Sequence, residues 1–201
     1  MPYIDLTMEL SERTPAYPGD PKPEIKTIAT IAGDGWNERR LSFNTHCSTH
    51  IDAPFHMLPE GKKLEDFPIE NFIGRAKVVD VSGMKAINKE AIGDLSGFDF
   101  VLFKTGQSDR AFTPEYYKQG IFLAEDGAEE LVRQKIKIIG IDSFSPDREP
   151  YSSHKILFRA DILILENLVN LSSLPTECKL YIMPLNLVEA DGSPCRVLAE
   201  I

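Results

Sequence analysis

The sequence has little histidine, little cysteine and almost no tryptophan: four, three and one in 201 residues. Each scarcity excludes something. The three cysteines, Cys47, Cys178 and Cys195, are too few and too widely spaced for a disulfide framework. None forms a CxxC pair, so a thiolate zinc site is also excluded. Cys47 is expected to be a small packing residue. No apolar run approaches the ~20 residues of a membrane helix. The start, MPYIDLTMEL, lacks the basic and apolar regions of a signal peptide, so a cytoplasmic location is expected. Basic residues are outnumbered, 22 to 31, and the net charge is −9. With no Lys/Arg stripe, nucleic acid is a poor partner. Internal repeats, low-complexity tracts and long linkers are absent too. One domain spanning 1–201 is therefore expected.

What is present is an ordinary hydrophobic fraction, 42%, and a series of short apolar runs between turn signals. Residues 3–7, 24–30, 38–43, 76–81, 98–104, 136–141, 162–165, 179–184 and 197–201 read as strands. The central runs, such as AKVVDV and IKIIGI, suit strands buried on both faces. Helices are expected over 88–94, 124–135 and 154–160. In the second of these, Ala128, Leu131 and Val132 share one side, and Gly127 weakens the first turns. Ser152 or Ser153 is expected to cap the third. Strand–helix alternation in the second half predicts an α/β domain. The proline-rich first half predicts antiparallel ribbons attached to it.

The scarce histidine is concentrated. NTHCSTHIDAPFH, residues 44–56, holds His46, His50 and His56, with Asp52 among them. On a strand, His50 and Asp52 would share a face about 6.6 Å apart, but His46 and His50 would be about 13 Å apart. Pro54 opposes a helix through His56. A bend at 47–49 followed by a short extended piece would direct His46, His50 and Asp52 to one point. Imidazole with carboxylate suits a divalent transition metal, zinc first and manganese as the alternative. Three protein ligands leave a position for water, as in a catalytic site. His56 is either a further ligand or a general acid/base. The fourth histidine, His154, precedes Glu166, which ends the apolar run ILIL. A carboxylate there needs a hydrogen bond, a counter-charge or a metal. If both join the cluster, the donors suffice for two ions.

HCSTHIDAPFH resembles the HxGTHxDxPxH signature of the metal-dependent cyclase/amidohydrolase family that includes bacterial kynurenine formamidases and isatin hydrolases. IDLTMELSERTPAYPGDPKP, IIGIDSFSPDRE, HKILFRADILILENLVNL and ADGSPCRVLAEI resemble further family segments, in order, over nearly the whole chain. The resemblance implies a compact α/β domain of the swivelling β/β/α type, with a mixed sheet and flanking helices. It implies that His46, His50 and Asp52 bind one metal and that, in members with two, Asp52, His154 and Glu166 bind a second, Glu166 being shared. His56 would be the general acid/base. The cofactor would be one or two Zn²⁺ ions, or Mn²⁺. The expected activity is hydrolysis of a small-molecule amide, an aryl formamide or a lactam, by attack of metal-bound hydroxide. The expected assembly is a homodimer or homotetramer. Two departures stand out. Ser48 replaces the signature glycine, and Tyr17 stands where kynurenine formamidases carry Trp; it remains a candidate substrate-binding aromatic. Two other functions fit the same residues: a non-catalytic metal or small-molecule binder, and a metal-dependent cyclase or dehydratase.

Overall fold

The computed structural model describes residues 2–118 and 120–201. In chain order its strands are β1 (Tyr3–Asp5), β2 (Glu24–Ala29), β3 (Glu38–Ser42), β4 (His50–Asp52), β5 (Ile73–Asp80) and β6 (Ala86–Ile87). There follow β7 (Phe100–Lys104), β8 (Phe122–Leu123), β9 (Ile138–Ile141), β10 (Leu163–Glu166), β11 (Glu177–Pro184) and β12 (Gly192–Glu200). The α-helices are α1 (Ile31–Asp34), α2 (Lys89–Ile92), α3 (Glu125–Arg133) and α4 (Ser152–Arg159).

Eight strands form one mixed sheet in the order β1-β12-β11-β5-β7-β9-β10-β4. The strands β5, β7, β9 and β10 run parallel, whereas β11, β12 and β4 pair antiparallel to their neighbours. β12 also pairs with β4, so the sheet closes into a barrel. Its long strand has room for two partners on that side: β4 opposite Gly192–Pro194 and β1 opposite Leu198–Glu200. This is the expected mixed α/β architecture with flanking helices.

Burial follows the strand period of two. Ile51, Ala76, Phe100, Leu102, Ile138, Leu163, Leu165, Leu180, Ile182, Val197 and Ala199 come from all seven barrel strands and form one cluster inside it. Val101, Phe103, Ile139, Ile141 and Ile164 point the other way, against Leu131 of α3 and Leu157 and Phe158 of α4. Burying each such side chain contributes about 1.5–3 kcal/mol before entropy is counted. β7, β9 and β10 are thus covered on both faces, as their sequence suggests. β5 and β11 are not: their residues alternate between buried and exposed positions. They lie where the sheet turns antiparallel and, among the described residues, no α-helix covers it.

Two local expectations are corrected. Among the described residues the first half contributes one separate antiparallel ribbon, β2–β3, whose second strand is exposed throughout. β1 and β4 enter the main sheet instead. Nor does a serine cap α4. Its Ser153 hydroxyl donates to the Leu123 carbonyl, and the Asp147 carboxylate accepts from the His154 backbone N–H at 3.1 Å. An anion at a helix N-terminus is favoured by the dipole. Gly127 also has a packing reason, because a Cβ there would lie 2.5 Å from the Ile87 carbonyl oxygen. Among the described residues, no helix is long and apolar enough to cross a membrane.

Candidate metal centre

The centre begins at β4, three residues with no exposed side chain. Ile51 points into the barrel. His50 and Asp52 therefore point out of it, toward the layer of α4. β10 supplies the next group by register: Glu166 is the direct partner of His50, and Ile164 of Asp52. α4 lays His154 over the same spot. His50 Nε2 lies 3.3 Å from Asp52 Oδ1 and 3.4 Å from Glu166 Oε2. His154 Nε2 lies 3.5 Å from Glu166 Oε1.

The bend expected before the extended piece occurs at Cys47–Thr49. It brings His46 Nδ1 within 2.7 Å of Asp52 Oδ1. Ser48, at the position of the signature glycine, has φ +60°. For a serine this left-handed conformation costs about 1–2 kcal/mol. The side chains hold it: Ser48 Oγ donates to the Met8 carbonyl at 2.7 Å, and Thr49 Oγ1 accepts from the Met8 N–H at 2.8 Å. Pro54 has the expected effect, leaving Ala53 extended at φ −102°, ψ 159° and opening a single turn, Pro54–His56. That turn stacks His56 on His46, with ring centroids 4.0 Å apart.

All six expected side chains thus meet. Ligand atoms of His50, Asp52 and Glu166 lie within 4.8 Å of one another, as do those of His46, Asp52 and His56. Asp52 belongs to both groups, and His154 joins the first through Glu166. Cys47 is buried beside them and belongs to neither group; burial pushes its thiol up to about 11.

Three acceptors escaped the sequence reading. His46 Nε2 lies 2.9 Å from Asp191 Oδ2, His50 Nδ1 donates to the Ser48 carbonyl at 2.9 Å, and His154 Nδ1 lies 2.5 Å from Asp147 Oδ1. Each imidazole thus has one nitrogen engaged by an outer acceptor and the other facing the cluster. This is the arrangement that metal-binding histidines adopt. Mixed nitrogen and oxygen donors, buried and outwardly supported, fit a divalent ion.

The electrostatics agree. Burial alone would depress His46, but the Asp52 and Asp191 carboxylates outweigh it and hold the imidazole up at about 10. Burial likewise opposes His154, and Asp147 and Glu166 raise it to about 10. His50 is raised against burial by Asp52 and Glu166. The carboxylates thus favour positive charge at the three imidazoles, as a cation site requires. His56 differs. Burial prevails over the pull of Asp52 and lowers it.

A cavity of about 570 Å³ opens over these residues. Tyr17, Tyr117, Phe144 and Tyr151 contribute to its wall. Tyr17 packs edge-on to Tyr117, centroids 6.0 Å apart, and its hydroxyl lies 3.4 Å from that of Tyr151. A cavity of this size admits a small aromatic molecule.

A family model, Cyclase, matches residues 4–148. The chain belongs to this cyclase family. The kynurenine formamidase of Geobacillus thermodenitrificans is 36% identical over 204 residues, covering 97% of this chain and 95% of that one. A structure described as a potential metal-dependent hydrolase with cyclase activity is 35% identical, with a TM-score of 0.84, covering 98% of this cyclase-family chain and 96% of its own. An isatin hydrolase bound to the product analogue thioisatinate is 25% identical, with a TM-score of 0.89, covering 98% and 91%.

Proposed function

We propose that this cyclase-family protein is a metal-dependent hydrolase of a small-molecule amide, either an aryl formamide such as N-formylkynurenine or a cyclic amide. The observation that carries this reading is the meeting of four imidazoles and two carboxylates in one aromatic-walled cavity. The kynurenine formamidase and isatin hydrolase relatives support it.

In this reading His46, His50, Asp52, His154 and Glu166 hold one or two divalent ions, zinc first and manganese as the alternative. A bound ion lowers the pKa of water toward neutrality and polarises a carbonyl oxygen. His56 moves the proton. Burial lowers its pKa and so favours the neutral imidazole, the form that can take a proton from the attacking water. It then returns that proton to the departing nitrogen. Tyr17 and Tyr117 present ring faces and edges to an aryl group, orienting the carbonyl toward the histidines. The acyl product is a carboxylate, formate where the substrate is a formamide. The working protein is a single domain over 1–201, cytoplasmic, and a homodimer or homotetramer.

The test is metal analysis of purified protein followed by hydrolysis assays on N-formylkynurenine and isatin. Stoichiometric divalent metal with turnover of either supports the proposal; metal with no hydrolysis of any formamide, lactam or lactone overturns it in favour of a binding protein. Loss of water from a hydroxylated substrate would indicate a dehydratase instead. His56→Ala should abolish turnover and keep the metal; loss of metal in that variant would make His56 a ligand.

A further inference from the structure

His50 lies on a strand and His154 on a helix, but His46 lies on a turn, where no regular backbone fixes its ring. What borders that ring is the start of β12. Asp191 Oδ2 lies 2.9 Å from His46 Nε2, on the side away from Asp52, whose Oδ1 lies 2.7 Å from Nδ1. The next residue, Gly192, is buried and is the cross-strand partner of Asp52. A Cβ on Gly192 would lie 2.8 Å from His46 Cε1 and 3.0 Å from the Ile51 carbonyl oxygen. The ring therefore occupies the volume that any other residue would fill. Asp191 is tied in place at both ends: Thr45 Oγ1 donates to its carboxylate at 3.4 Å, and its backbone carbonyl accepts from the Ala53 N–H at 2.9 Å. Its Oδ2 is also 3.8 Å from His56 Nδ1.

We propose that the Asp191–Gly192 step is the positioning device of this centre. Asp191 accepts the Nε2 proton of His46, so the nitrogen left for a metal ion is Nδ1 on the Asp52 side, where the ion would replace the proton, while Gly192 makes the space in which the ring lies. The same carboxylate borders His56, so one residue sets the surroundings of both stacked rings. The inference rests on the metal-centre reading above. It deepens that reading by naming what orients a ligand that the barrel itself does not hold. A neutral imidazole has one proton to place, and a carboxylate on the outer nitrogen decides where it goes.

The experiment compares wild type with Asp191→Asn, Asp191→Glu and Gly192→Ala. Each metal-free protein is titrated with Zn²⁺ alone by calorimetry, its melting temperature is recorded, and kcat and KM are measured on an aryl formamide after zinc loading. Asp191→Asn should weaken zinc binding by about 10–100-fold. It should lower kcat with little change in KM, and melt close to wild type without metal. Asp191→Glu should recover part of the affinity, because it restores the charge. Gly192→Ala should weaken zinc although it removes no donor. Wild-type zinc affinity in Asp191→Asn overturns the proposal, and so does a lowered metal-free melting temperature with unchanged affinity. Wild-type protein that takes up no zinc is a different failure. It overturns the metal centre itself, and the positioning role with it.

Discussion

His50 on β4 and Glu166 on β10 are direct cross-strand partners, with Nε2 3.4 Å from Oε2. Glu166 holds a second imidazole through its other oxygen, His154 Nε2 at 3.5 Å. One buried carboxylate thus joins a strand histidine to a helix histidine. Glu166→Gln keeps the volume but supplies a neutral amide, which is a poor substitute for an anionic ligand. Zinc affinity should fall by an order of magnitude or more, and any second equivalent should be lost. Calorimetric titration of the metal-free variant measures both. Unchanged stoichiometry and affinity would remove Glu166 from the ligand set.

The parts of this site that were legible in the sequence are those that lie close along the chain. His46, His50, Asp52 and His56 fall within thirteen residues, and Pro54 constrains the backbone between the last two. Glu166 was legible because it ends an apolar run. Asp147 and Asp191 were not singled out, because an aspartate near a histidine carries no signal until the chain has folded. The pairing of Gly192 with Asp52 depends on closure of the barrel, and nothing in three residues of β4 shows that it has neighbours on both sides. AKVVDV, in β5, is not buried on both faces as expected, for a related reason. Local apolar density does not say which face a helix will cover. Serine capping of α4 failed because the Ser153 hydroxyl had a better acceptor and Asp147 a stronger charge.

Ser48 offers a direct measurement of backbone strain beside the ligands. Its φ of +60° suits glycine, and its hydroxyl donates to the Met8 carbonyl. Ser48→Ala loses the hydrogen bond and keeps the strain, so it should be destabilised by about 1 kcal/mol or more. Ser48→Gly also loses the bond but relieves the strain, offset in part by the greater freedom of glycine in the unfolded chain. The glycine variant should be more stable than the alanine variant by about 1 kcal/mol. Denaturant unfolding of the pair decides it. An alanine variant as stable as the glycine variant would show that the left-handed conformation costs nothing here.

Asp80 and Lys104 are register partners at the ends of β5 and β7, joined at 2.5 Å. Lys104, with help from the Ser82 hydroxyl and N–H, lowers the Asp80 pKa from 3.8 to about 2. A carboxylate depressed in the folded state contributes stability that is present above its unfolded pKa of 3.8 and lost as pH falls through about 2. Asp80 is exposed and Lys104 only half-buried, so the contribution is small and weakened by salt. Asp80→Asn should therefore lie slightly below wild type in stability near neutral pH and converge with it in strong acid. Unfolding curves at several pH values across that range test the sign. A gap that widens on acidification would contradict it.

Gly61 lies behind the turn that carries His56. A Cβ there would lie 2.4 Å from the Pro54 carbonyl carbon and 2.6 Å from Phe55 N. Both are backbone atoms, so no side chain can swing aside to make room. Gly61→Ala must push the Pro54–His56 turn away from the loop behind it, at a cost of about 1–3 kcal/mol. The barrel positions of His50 and Glu166 do not depend on that turn, because both residues are held by strand pairing. The variant should therefore retain zinc while losing much of kcat, since a proton-transfer group displaced even slightly loses its reach. Metal content, melting temperature and kcat on one sample separate the outcomes. A fall in stability with full kcat would mean that the turn relaxes without moving His56. Loss of zinc along with activity would instead place His56 among the ligands.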